Sequence, residues 1–292
     1  MLIQAVSAIS VAELVVYPPC FFLVVWVCLR HGFGRQAGWA LLIFFPILRI
    51  LGAASQLATD KDPNSTLITI ALICNNLGQP PLILASLYLL KRIADGIDAL
   101  PFRAARLHAL HIPVSVGAVL CIVGGVNIFD SNPGNDGSAH ALTQAGVCLF
   151  LAVFVCVCIL AIVMYYYLGQ VARGERTLLY CITVALPFLF VRVLYSVLVS
   201  FRWRSSVWNL FNGNVVARGM MAVFEEFVIV AIFIIAGFIT PVIPRENVQP
   251  GLRRRRRNYQ AGLAHEQQSG LAGQSAPQEP KTMRDTTLNT NV

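Results

Sequence analysis

Seven long apolar segments constrain the fold of this chain more than any other feature. They cover residues 5–29, 38–59, 67–90, 108–129, 142–168, 178–200 and 218–243, and short polar or turn-rich stretches separate them. A helix needs about 20 apolar residues to cross the hydrocarbon core of a bilayer. Backbone groups find no water there, so each segment is expected to be helical. The sequence therefore predicts an all-α membrane protein, a bundle of seven transmembrane helices.

Composition and charge argue against a soluble protein. Charged residues make up 12% and the mean hydropathy is +0.67, whereas soluble domains carry about 25% charged residues. The net charge of +8 could indicate nucleic acid in a soluble chain. Here the basic residues lie mainly in loops and in the tail, where they act as orientation signals and lipid contacts. No nucleic-acid partner is expected.

The loops differ in their content of Lys and Arg. Up to residue 257, fourteen lie after the first, third and fifth segments and in the tail, and four lie on the opposite side. Because cytosolic loops carry the excess of positive charge, the N-terminus is predicted outside and the C-terminus in the cytosol. The host membrane, plasma membrane or endomembrane, stays open.

Residues 245–292 differ in composition from the transmembrane domain at residues 1–244. They are rich in Gln, Gly, Ser, Thr and Pro, which predicts a disordered cytosolic tail. A basic run near its start is expected to attract anionic inner-leaflet lipid at about 1 kcal/mol per residue. It could equally be a topology signal, and the two interpretations are compatible. The run consists of Arg253, Arg254, Arg255, Arg256 and Arg257.

Apart from Arg218 at the edge of the last segment, the Asp, Glu, Lys and Arg residues inside the apolar segments are five: Glu13, Arg49, Arg192, Glu225 and Glu226. Each costs roughly 2.5–3.5 kcal/mol at a helix centre unless it is paired or hydrated. A rise of about 1.5 Å per residue places the first two near the midplane and the last three in the outer half. Opposite charges therefore match in depth twice. They are either structural clasps or the lining of a polar cavity that binds a solute or relays protons.

The third segment contains Asn75-Asn76-Leu77-Gly78-Gln79-Pro80-Pro81. Two prolines in mid-membrane free backbone carbonyls and loosen a helix. Broken helices with amide side chains, here Asn75, Asn76 and Gln79, often border binding sites in transporters. A kink with amide bonds between helices explains the same residues.

A faint internal repeat is also present. The second segment has Pro46 then Arg49, and the sixth has Pro187 then Arg192. Asn75-Asn76 and Glu225-Glu226 then occupy corresponding places in the third and seventh segments. The pattern suggests a parallel 3+1+3 arrangement with the fourth span as linker.

Several motifs are absent. The sequence has no His-Glu-x-x-His, no paired catalytic aspartates and no Gly-rich phosphate loop, so neither enzyme activity nor a metal or cofactor is predicted. The seventh segment has no lysine for a retinal Schiff base and no Asn-Pro-x-x-Tyr. All eight cysteines lie in apolar segments, which argues against a disulfide framework.

Several of these segments together resemble a family of uncharacterised seven-span membrane proteins from filamentous fungi. The likeness is carried by Ala12 to Pro19, Arg49 to Ala53, Asn75 to Gly78, Arg192 with Tyr195, and Glu225-Glu226. It covers about residues 5–243. It implies a helical membrane fold and a fungal origin, and it implies no activity.

Two functions remain in view. The buried charges, broken spans and possible repeat favour a carrier or lipid-handling transporter of a small solute or lipid. The alternative is a seven-span sensor that signals through its loops and its Ser/Thr-containing tail.

Overall fold

A computed structural model describes residues 2–32, 37–61, 65–97, 104–128, 136–202 and 223–240. These residues are helical, with short turns, and contain no strand. Two 3-10 turns, Ala104–Leu110 and Leu168–Gln170, join longer elements. The helices are α1 Leu2–His31, α2 Ala37–Lys61, α3 Ser65–Leu77, α4 Gln79–Ala94, α5 His111–Asn127, α6 Asp136–Tyr166, α7 Arg173–Phe201 and α8 Glu225–Ile239.

Six described segments are long and apolar enough to cross a membrane. Five correspond to α1, α2, α5, α6 and α7, and the sixth is Ser65–Ala94, which combines α3 and α4. Helix α8 is the described part of the predicted seventh span, and residues 218–222 and 241–243 of that span lie outside the described residues. The basic run at 253–257 lies outside them as well. The all-helical, apolar character that the sequence predicts is confirmed.

The outer surface of the bundle is apolar, unlike that of a soluble protein. Large apolar side chains point outward, with Phe22 and Ile162 each 69% exposed. The interior, in contrast, holds charged groups such as Arg49 and Glu226, which are 2% and 0% exposed. Water would penalise this arrangement, whereas a lipid surround matches it.

The helices pack in the order of the sequence around a closed ring. Each span contacts the next along the chain, and α1 contacts α8. Helix α4 contacts α2, α5, α6 and α7 as well, so the second half of the third span lies at the centre of the bundle. Residues near the α3–α4 junction therefore face several helices.

The predicted interruption of the third span lies at Gly78. Helix α3 ends at Leu77 and α4 begins at Gln79, with the prolines in its first turn. Since Pro80 and Pro81 lack an N–H, they cannot donate to the carbonyls of the preceding turn. A Cβ at Gly78 would lie 3.2 Å from Nε and Nη2 of Arg49, so glycine leaves space here for a buried guanidinium.

Candidate functional site: a buried charge network

The carboxylate of Glu226, the second residue of α8, connects two arginines. Its Oε1 accepts a hydrogen bond from Arg192 Nε at 2.5 Å, and its Oε2 forms an ion pair with Arg49 Nη2. All three residues are at most 3% exposed. One fully buried carboxylate therefore holds α2 and α7 against α8.

Arg49 has two further partners on other helices. Its Nη1 donates to Oδ1 of Asn75 at 2.5 Å and lies 3.6 Å from a carboxylate oxygen of Glu13. Phe45, one turn earlier on α2, places its ring 5.8 Å from the guanidinium. Two arginines and two glutamates thus form a network whose formal charges cancel, as burial in lipid requires.

Arg192 joins the network to the broken third span. Its Nη2 donates to the main-chain carbonyl of Asn75 at 3.0 Å, and its Nη1 donates to the hydroxyl of Ser196 at 2.6 Å. The carbonyl is available because Asn75 lies in the last turn of α3, where main-chain carbonyls lack intrahelical partners. Asn75 therefore accepts hydrogen bonds from both arginines, from Arg49 through its side-chain oxygen and from Arg192 through its main-chain carbonyl.

The structure joins the two depth-matched pairs expected from the sequence into a single network. Glu226 serves both arginines, because side chains reach across the difference in depth between Arg49 and Arg192. Glu225, the neighbouring carboxylate, is half-buried and takes no part in the ion pairs found among the described residues. Asn76 is also half-buried and contributes no hydrogen bond to the network within the described chain. Adjacent residues on a helix point about 100° apart, which explains why only one of each pair contributes.

Some polar side chains near the network have a buried atom with no hydrogen-bond partner among the described residues. They include the hydroxyl of Tyr17 and Oε2 of Glu225, and Nε2 of Gln79, in the first turn of α4, is another such atom. Tyr17 is fully buried, packs its ring against Phe45 and Phe227, and interacts electrostatically with Glu226, Arg49 and Glu13. Tyr17 is not among the site residues that the sequence predicts. Its spacing of four residues from Glu13 on one helix face was the signal for its place here.

Polar contacts also join helices at the end predicted to face the cytosol. Arg30 Nη1 donates to the carbonyl of Phe238, and His31 Nε2 donates to that of Gly237, each at 2.8 Å. Side chains from the end of α1 thereby cap the last carbonyls of α8, which lack intrahelical partners. Nearby in the same predicted layer, Arg92 of α4 pairs with Glu175 of α7 at 3.1 Å.

The fold and the network define a polytopic helical protein of the membrane-spanning type with a buried, charge-balanced centre. The chain belongs to the family described as a domain of unknown function, DUF7702, whose profile matches residues 3–242. That match includes every member of the network. No curated protein and no solved structure matches the chain.

Proposed function

We propose that this chain is a membrane carrier whose central site is the Glu226 network. The observation that carries the proposal is the bridging carboxylate. When Glu226 is ionised it holds two arginines from different helices, and when it is protonated or displaced it releases both. A carrier needs a buried group of this kind, whose occupancy changes how helices pack around a central site.

The pattern of contacts supports seven spans arranged as a parallel repeat. Within the first three spans Arg49 bonds Asn75, and within the last three Arg192 bonds Glu226. Each arginine also contacts the other set, Arg49 through Glu226 and Arg192 through the Asn75 carbonyl. Crossed contacts between corresponding residues are expected when two related halves meet at a central site. In this proposal the N-terminus is outside and the tail, with its lipid-binding arginines, is in the cytosol.

The polar contacts at the cytosolic end supply a closing device for that side. The Arg30 and His31 caps join α1 to α8, and the Arg92–Glu175 pair joins α4 to α7. The side chains that make these contacts, Arg30, His31, Arg92 and Glu175, all lie at helix ends. Breaking these few contacts would let the spans separate there. Alternating access requires contacts that close one end while the other is open.

The test is two-sided access to the central site. Gln79→Cys is expressed in right-side-out and inverted vesicles and treated with a membrane-impermeant thiol reagent. The unsubstituted chain, with eight native cysteines, measures the background. A carrier predicts labelling above background from both sides. Labelling from neither side would reject the proposal and leave the network a structural clasp.

A sensor is the second candidate. The closed sequential ring and a single carboxylate that locks three helices suit a receptor held in its resting state until a ligand breaks the lock. This candidate predicts labelling of Gln79→Cys from the outside only. It also predicts that deletion of residues 245–292 abolishes signalling without changing that labelling.

A further inference from the structure

Two polar atoms left over beside Glu226 are able to donate hydrogen bonds. Nε of Arg49 and the hydroxyl of Tyr17 are buried and have no hydrogen-bond partner among the described residues. One acceptor on the neighbouring residue, Oε2 of Glu225, is also buried without a partner there. The guanidinium of Arg49 lies against Gly78. A buried donor without an acceptor costs about 1–3 kcal/mol. A site with surplus donors favours a ligand that supplies acceptor oxygens.

Glu226 itself shows how such a ligand would sit. Its two oxygens are divided between two guanidinium groups, Oε1 toward Arg192 and Oε2 toward Arg49. Planar guanidinium groups are the residues best suited to bind carboxylate and phosphate oxygens. We propose that the central site binds a singly charged carboxylate or phosphate group, whose place Glu226 occupies in this structure. The inference rests on the carrier function and names the substrate class for it.

Charge balance then determines how the exchange proceeds. The groups around Glu226 are Arg192 from α7, Arg49 from α2 and Tyr17 from α1, and Glu13 of α1 pairs in turn with Arg49. An incoming anion adds one negative charge to a neutral network. A proton that binds a carboxylate oxygen of Glu226 restores neutrality, and both arginines are then free to hold the anion. The anion is therefore expected to enter together with one proton, with no bond made or broken other than that O–H bond.

The experiment is chemical rescue of Glu226→Ala, which removes the internal carboxylate and leaves both arginines. Purified protein in a neutral detergent is heated in sodium acetate, sodium phosphate or sodium chloride at equal ionic strength. At one hundred times the dissociation constant, acetate or phosphate is expected to raise the unfolding midpoint by about 5–10 °C relative to chloride. Glu225→Ala is the matched control and should show no such difference, because Glu225 lies outside the network. Arg192→Ala/Glu226→Ala should lose most of the rescue.

A second preparation covers the case in which Glu226→Ala does not fold. Glu226→Gln keeps the shape of the side chain and removes its charge, and it is tested with the same salts. The source of the anionic group is distinguished by nanodiscs of phosphatidylcholine with or without phosphatidylglycerol. Rescue by soluble acetate or phosphate identifies a free anion, and rescue only by the anionic lipid identifies a headgroup.

The two proposals fail in different ways. If neither the salts nor the lipid stabilise a Glu226 variant more than Glu225→Ala, the anion site is wrong. Two-sided labelling of Gln79→Cys would then still support a carrier of another substrate class. If labelling occurs from the outside only and rescue occurs, the carrier is wrong and the anion site belongs to a sensor.

Discussion

Arg192 and Glu226 stand 34 residues apart in sequence and meet at 2.5 Å in a fully buried contact between α7 and α8. The same carboxylate pairs with Arg49 of α2, so the contact belongs to a network and not to an isolated pair. Removal of any one charge leaves an uncompensated charge in the bundle, which is more costly than the loss of a single hydrogen bond.

Single and double substitutions of this pair should therefore differ in how much they lower the free energy of unfolding. Glu226→Leu leaves two arginines with only Glu13 and is expected to lower the free energy of unfolding by about 3–5 kcal/mol. Arg192→Leu/Glu226→Leu keeps the neutral Glu13–Arg49 pair and should recover most of that loss. The measurement is thermal unfolding in detergent. A double variant less stable than both singles would contradict the network.

Gly78 is predicted to tolerate no large side chain. A Cβ there would already be 3.2 Å from the Arg49 guanidinium, and a valine would push that group from its partners. Gly78→Val should lower the unfolding midpoint and weaken the coupling between Arg49 and Asn75 in a double-mutant cycle. Gly137→Val is the control, because a Cβ at Gly137 would meet nothing within 4 Å. Equal effects at both positions would count against the close approach.

The α5–α6 packing depends on small residues. A Cβ at Gly146 would lie 2.6 Å from both the carbonyl oxygen of Gly117 and the sulfur of Cys121. Close backbone approach of this kind drives helix association in lipid. Gly146→Ala is expected to cost about 1–3 kcal/mol of stability through overpacking, measured by unfolding in detergent, whereas Gly137→Ala should be neutral. Unchanged stability in Gly146→Ala would show that the two helices separate without penalty.

The caps at the end of α8 should also contribute to stability. Arg30→Ala/His31→Ala removes the donors to the carbonyls of Phe238 and Gly237. The contact at Gly237 is buried, and a buried carbonyl without a partner costs about 1–3 kcal/mol, whereas the contact at Phe238 is exposed. Hydrogen exchange near residues 236–240 should accelerate in this variant. Leu29→Ala changes an exposed neighbour on the same helix end and should leave exchange there unchanged.

The helical, apolar character of the chain and the charged residues inside its apolar segments could be read from the sequence, for a clear reason. Long apolar segments have no alternative to helix in lipid. A charged residue within such a segment is costly enough that it requires a partner. Glu13, Arg49, Arg192 and Glu226 were therefore identifiable without any structure, as were Asn75 and the break after it, because two adjacent prolines disrupt a helix wherever they occur.

Pairing could not be read from the sequence. Depth along the helix axis matched Arg49 to Glu13 but left two adjacent glutamates as candidates for Arg192. Depth alone cannot choose between them, because the rotation of each helix about its axis and the reach of each side chain depend on how the helices pack. Only the tertiary structure selected Glu226 over Glu225, brought Arg49 and Arg192 to one carboxylate, and buried Tyr17 beside them. The sequence by itself determined that charges lie inside an apolar helical bundle, because the composition of each segment determines whether water or lipid can surround it. The tertiary structure decided which charges meet, because that depends on the relative rotation of helices far apart in the chain.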